Sequence, residues 1–175
     1  MARMAQSGGK ALDVGCGQGR DAIMLARHGY EVVGIDSSSI GIEQMVSKAK
    51  EVGRPVTGIV ADFYEYDFQD QYAAIVLDSI LHFQKSDLKK ELALLDRLLE
   101  HLEEGGYFFI FVHQSTQKEK VLNEWVAKQG GKLETVVADY IDYVYEEKAS
   151  DFRSEFQMFM IVLQRQGEHA FGIAP

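Results

Sequence analysis

Three glycines at alternate positions, Gly15, Gly17 and Gly19, follow Asp13 at the end of an apolar run, and Asp36 lies twenty-one residues beyond Gly15. Residues 10–14 have the make-up of a buried strand, and from Arg20 the residues Ala22, Ile23, Ala26 and Tyr30 recur at helical spacing. The glycines therefore fall where a strand turns into a helix. Glycine accepts positive φ there and lets the main chain lie against a ligand, while the first helical turn offers unpaired N–H groups. A second strand over residues 31–35 ends at Asp36. At that place in a doubly wound sheet a carboxylate accepts hydrogen bonds from ribose hydroxyls. The chemistry this predicts is the cradling of a nucleotide cofactor.

The spacing separates two cofactor classes. A dinucleotide loop, G-x-G-x-x-G/A, needs a small sixth residue so that helix and strand pack closely, and here that residue is Arg20. The segment instead closely resembles the acidic-x-G-x-G-x-G loop of the class I S-adenosylmethionine-dependent methyltransferases. The resemblance implies S-adenosyl-L-methionine as cofactor and S-adenosyl-L-homocysteine as product. It implies that Asp13 helps hold the methionine ammonium, that Gly15, Gly17 and Gly19 approach the methionyl and ribose parts, and that Asp36 and its neighbour Ser37 serve the ribose. It further implies that Asp62 meets the adenine amino group with Phe63 against the ring, and that Leu77 and Asp78 end the fourth strand beside the transferred methyl. These landmarks run in the family's order over roughly residues 10–113. Taken singly, each has a plainer alternative. Asp36 fits the cap of the next helix, as do Ser37, Ser38 and Ser39; Asp62 fits a turn and Asp78 a solvated strand end. Cys16, the one cysteine, excludes an internal disulfide and reads as a small residue packed near the cofactor rather than a nucleophile.

Methyl transfer from a sulfonium requires chiefly an aligned acceptor and the exclusion of water. A hydroxyl or ammonium acceptor must also lose a proton, whereas a thiolate needs no base. His82, four residues beyond Asp78, is the leading candidate for that proton, its alternative being a place under the following helix with a hydrogen bond to the main chain. His113 is the next, at the carboxyl end of the fifth strand, outside which ligands bind in such sheets. Tyr140, Tyr143 and Tyr145 alternate with Ile141, Asp142 and Val144, a pattern that lines a pocket or, more commonly, a core. His28, His101 and His169 carry no site logic, and no pair of histidines or carboxylates has metal-ligand spacing.

The elements that must position these groups are legible. A helix is predicted from Ser39 to about Glu51, ended by Gly53 and Pro55, and another from Asp87 to Glu103 with Leu88, Leu92, Leu95, Leu99 and Leu102 in steps of four and three. Residues 107–112 form a continuous apolar strand, residues 118–129 a helix, and residues 133–147 and 154–165 two strands that pair as a long hairpin. These elements again resemble the methyltransferase family, and the fold the resemblance implies is α/β, a Rossmann-like doubly wound seven-stranded sheet of order 3-2-1-4-5-7-6 with strand 7 antiparallel, in three αβα layers. The expected organisation is a short N-terminal segment (1–9), a single methyltransferase domain (10–165) and a loose tail (166–175). Few residues precede the glycine strand, so an open site, a trimmed chain, or a cover supplied by a partner or a homodimer is expected.

The 175 residues suffice for one core, and no apolar run is long enough for a membrane span or a signal peptide, so a cytoplasmic protein is expected. A formal net charge of −9 with scattered Lys and Arg disfavours nucleic acid as partner. The substrate expected is a small-molecule acceptor, in a stand-alone enzyme with the look of the tellurite-resistance and thiol-methylating groups. The alternatives are a non-catalytic S-adenosylmethionine-binding subunit or sensor, and an NAD- or FAD-binding oxidoreductase domain.

Overall fold

The computed structural model describes residues 9–54, 56–147 and 152–167; Pro55, the side chain of Tyr145, His169 and most of the expected tail lie outside the described residues. The strand β1 (Lys10–Val14) leads into α1 (Arg20–Arg27), β2 (Glu31–Asp36), α2 (Ser39–Glu51), β3 (Val56–Val60) and β4 (Tyr72–Asp78). There follow α3 (Leu88–Glu100), β5 (Leu102–His113), α4 (Thr116–Lys128), β6 (Leu133–Glu147) and β7 (Phe152–Arg165). The sheet order is β3-β2-β1-β4-β5-β7-β6, with β7 antiparallel to β5 and β6 and the first five strands parallel.

Alternation along the strands divides the core between the two faces. Leu12, Val14, Ile75, Leu77, Phe108, Ile110 and Val112 face α3 and α4, which contribute Leu94, Leu95, Leu98, Leu99, Leu122 and Trp125. Ala11, Val32, Ala74 and Val76 face α1 and α2, which contribute Ala22, Leu25, Ala26, Ile42 and Met45. Burying apolar surface on both sides of a parallel sheet is what gives its strands their continuous apolar character. Ser38 caps α2, its Oγ accepting from the Gly41 N–H at 3.1 Å, so one of the expected serines takes that place.

Two differences from expectation have local causes. The third helix ends at Glu100 rather than Glu103, because Leu102 joins the sheet opposite Tyr72, whose N–H donates to the His101 carbonyl at 2.8 Å. Between β3 and β4 the chain forms turns that carry Tyr64, Tyr66 and Phe68 against the α3 face of the core. Arg97 of α3 fastens this stretch by donating to the carbonyls of Tyr64, at 2.5 Å, and Tyr66.

Candidate active site

The carboxyl ends of β1, β4 and β5 open on a cleft of about 460 Å³ whose floor is Asp13, Gly15 and Cys16 and whose far side is Asp78, Ser79 and His113. The turn after β1 is held from beneath: the N–H groups of Gly15 and Cys16 both donate to the Ile35 carbonyl, at 2.8 and 3.1 Å. Asp36 holds it from the side. Its Oδ2 accepts from the Gly17 N–H at 2.9 Å and its Oδ1 from the Ser38 N–H at 2.8 Å. Each carboxylate oxygen still has a lone pair to offer, so the residue that fixes the loop can also accept from ribose hydroxyls. Gly17 has φ +49°, and nothing lies within 4 Å of where its Cβ would stand; the loop is bare on that side.

Asp13 is 2% exposed. Its Oδ2 accepts from the Ala22 N–H at 2.8 Å, which satisfies one free donor at the start of α1. Burial pushes its carboxyl up to about 7, the negative Asp21 and Asp78 add to this, and the Ala22 N–H and Arg20 oppose it. It forms no ion pair among the described residues. A buried acid in that state is completed by a positive group, and an α-ammonium fits. With the bare face at Gly17 and the open lone pairs of Asp36, the residues present fit an S-adenosylmethionine molecule.

Arg20, first in α1, bridges two of the acids. It donates through Nε and a terminal nitrogen to Asp21, both at 2.9 Å, and through that nitrogen to Asp78. Ser79 donates to Asp78 Oδ1 at 2.7 Å. Ser79 and Phe83 are the two non-glycine residues with positive φ among those described, at +62° and +50°, and they bracket the segment after β4. Backbone strain of this kind collects at functional sites. Glu91 of α3, 1% exposed, holds the segment in place by accepting from the N–H groups of His82 at 2.9 Å and Phe83 at 2.6 Å.

The predicted site residues divide accordingly. Asp13, Gly15, Cys16, Asp78 and His113 line the cleft, and Gly17, Gly19 and Asp36 belong to its loop or its support. Ala61 N–H donates to the Asp36 carbonyl at 3.0 Å, which brings Asp62 and Phe63 beside the Asp36 end. Asp62 is exposed and also forms a turn, its Oδ1 accepting from the Tyr64 N–H at 2.9 Å. Ser37 is exposed next to the cap. Leu77 differs from expectation: strand alternation turns it away from Asp78, and its side chain is wholly buried on the α3–α4 side. The His82 side chain is exposed and outside the cleft lining, since Glu91 fixes its main chain and not its ring. The Cys16 thiol is pushed up to about 12 by burial and by the charges of Asp13 and Asp36, which keeps it an inert packing group. Sequence reasoning missed Arg20 and Asp21 as cleft residues, Glu91, and Phe156 of β7, which lines the cleft with Tyr143 of β6.

A methyltransferase domain family matches residues 11–106 of the chain. The chain is 28% identical over 107 residues to TehB of Haemophilus influenzae, described as a probable S-adenosyl-L-methionine-dependent methyltransferase, covering 61% of this chain and 37% of TehB. It is 30% identical over 118 residues to the ubiquinone biosynthesis O-methyltransferase of Rickettsia conorii, covering 67% of this chain and 39% of that protein. The chain thus spans less than half the length of either relative. The crystal structure of TehB from Haemophilus influenzae superposes with a TM-score of 0.75 at 20% identity, covering 94% of this chain and 60% of TehB. That of the N-methyltransferase NodS from Bradyrhizobium japonicum with S-adenosyl-L-homocysteine gives 0.69 at 14%, covering 95% and 84%. No helix among the described residues is long and apolar enough to cross a membrane.

Proposed function

This chain belongs to the class I S-adenosylmethionine-dependent methyltransferase family, and from that premise we propose that it methylates a small-molecule acceptor in the cleft at the carboxyl ends of β1, β4 and β5. S-adenosylmethionine, when bound, supplies a methyl group on a sulfonium, keeps the electron pair of the broken carbon–sulfur bond and is left as the thioether S-adenosylhomocysteine. Asp13 receives the ammonium, Gly15 and Gly17 present their main chain, and Asp36 accepts from the ribose. Asp62 and Phe63 serve the adenine end. Asp78, held by Arg20 and Ser79, forms the wall from which the acceptor is reached.

The observation that carries this is a buried acid lacking a cation that opens on the same cleft as His113. Imidazole is the side chain suited to take a proton at neutral pH. His113 is therefore the proton acceptor where the nucleophile is a hydroxyl or thiol, and His82, outside the cleft lining, has no such role. The acidic balance of the chain, with −9 formal charge, supports a small acceptor over a nucleic acid.

The test is incubation with S-adenosylmethionine labelled in its methyl group and a panel of thiols, phenols and amines. S-adenosylhomocysteine formed in step with a labelled small product, and lost in Asp36→Ala, is the expected result. Label passing only to RNA or protein acceptors would contradict the small-molecule assignment.

A further inference from the structure

A column of four side chains crosses the mouth of the cleft. The Arg20 guanidinium lies 5.1 Å from the Tyr143 ring centroid. Tyr143 stacks on Phe156 at 5.0 Å and 26°, and Phe156 meets the His113 ring at 4.7 Å, tilted by 39°. Arg20 begins α1 and His113 ends β5. Tyr143 and Phe156 are register partners on β6 and β7, in the part of that hairpin that runs on after β5 has ended opposite Met158. The overhang, residues 142–147 with 152–157, reaches about 20 Å past β5 at the rise of an extended strand. The sheet core does not account for the two rings, since both are half-buried and face the cleft together with Asp78 and His113.

Resting on the methyl-transfer assignment, we propose that Tyr143 and Phe156 form the acceptor-selecting wall of the cleft, and that the acceptor is a flat aromatic ring bearing a hydroxyl or thiol. Partly exposed aromatic rings recognise other rings through offset and edge contacts, beyond the area they bury. With Asp13 matched by the cofactor's ammonium, the carboxylates of Asp21 and Asp78 still outnumber Arg20 around the cleft, which disfavours an anionic acceptor. An aliphatic ammonium satisfies the acids but must shed its proton beside them, which they oppose. A hydroxyl on an aromatic ring, or a thiol one carbon removed from it, stays neutral and meets neither obstacle. Its lone pair forms the new bond to the methyl carbon, and its proton passes to His113 at the end of the same column.

The test titrates 2-naphthol into full-length protein saturated with S-adenosylhomocysteine and compares wild type with Tyr143→Ala and Phe156→Ala. Both positions lie outside the buried core, and S-adenosylhomocysteine affinity serves as the internal check of folding. The expected result is unchanged S-adenosylhomocysteine binding with 2-naphthol bound roughly tenfold more weakly by each variant. In turnover, phenylmethanethiol should exceed ethanethiol, both being protonated alkyl thiols at neutral pH, in kcat/KM by about tenfold or more, with the advantage lost through KM in the variants. Protein that binds S-adenosylhomocysteine but not 2-naphthol, or variants that bind 2-naphthol as wild type does, would overturn the proposal. Binding of 2-naphthol that depends on Phe156 in a protein with no affinity for S-adenosylhomocysteine would sustain the wall and sink the methyl-transfer assignment.

Discussion

Gly17 and Gly53 share a positive φ, +49° and +63°, and open space where a Cβ would stand, yet they differ in what that space is for. Replacing either by alanine costs about 1–2 kcal/mol of backbone strain. Only at Gly17 does the added methyl enter the face offered to the cofactor. Gly17→Ala is therefore expected to weaken S-adenosylhomocysteine binding by about tenfold or more, and Gly53→Ala to leave it unchanged; equal loss in both, by calorimetry, would place the cofactor elsewhere. Asp13 gives a second prediction. Its carboxyl stands at about 7 in the fold against the ordinary 3.8 of an aspartate, so between those values the folded chain holds a proton that the unfolded chain has released. Stability then falls as pH rises from 3.8 through about 7, and above that the whole cost of the buried charge is present. An ammonium beside Asp13 reverses this preference and expels the proton. Affinity for S-adenosylhomocysteine should rise with pH up to about 7 and then level off, and titration slightly below 7 in buffers of different ionisation enthalpy should register proton release. Heat independent of the buffer would contradict it. The types and spacing of Asp13, the glycines and Asp36 were readable because a turn against a ligand tolerates few residues. Phe156 was not readable, because a phenylalanine among apolar strand residues looks like core until its neighbours are placed.

The segment between β4 and α3 owes its shape to one carboxylate. Glu91 lies on the buried stripe of α3 with Leu94, Leu95 and Leu98, and both its oxygens accept main-chain N–H groups. Glu91→Gln keeps the shape but puts an N–H₂ where an acceptor is needed. The expected loss is about 1–3 kcal/mol of stability, read by denaturant unfolding, with faster amide exchange at His82 and Phe83. Unfolding and exchange like those of wild type would show that the segment is held by other contacts. A signal for Glu91 did exist in the sequence, since it stands four and seven residues before Leu95 and Leu98, but a glutamate in a leucine-rich helix reads as surface. The end of α3 was misplaced for a related reason. Gly105 and Gly106 stand just after the leucine pattern and look like its stop, whereas the operative one is the pairing of Leu102 with Tyr72, a contact thirty residues away in sequence. His82 was placed ahead of His113 because its segment leads on from the fourth strand; both side chains are exposed and only that of His113 lines the cleft, which depends on Glu91 and on the hairpin.

At the scale of the whole molecule, the layered α/β class follows from the alternation of apolar strands with amphipathic helices, which leaves few ways to cover both sheet faces. The strand order and the antiparallel β7, in contrast, were expected from the family resemblance and are what the sheet has. The hairpin was legible as a pair of strands, and its overhang is the part left unpaired by β5, which meets β7 only over Tyr107–His113. What the overhang does was not legible, because it depends on where β5 ends relative to the glycine loop. That convergence is also why a single ligand probes so much of the structure. Asp13 with its glycine loop and Asp36 come from different segments and meet only if β2 pairs with β1 in this register. Calorimetric titration of the protein with S-adenosylhomocysteine, beside Asp36→Ala and with NADH as the competing cofactor, tests this most directly. Micromolar binding of S-adenosylhomocysteine, weakened by the substitution and without binding of NADH, is the predicted result. Binding of NADH alone, or S-adenosylhomocysteine affinity indifferent to Asp36, would contradict it.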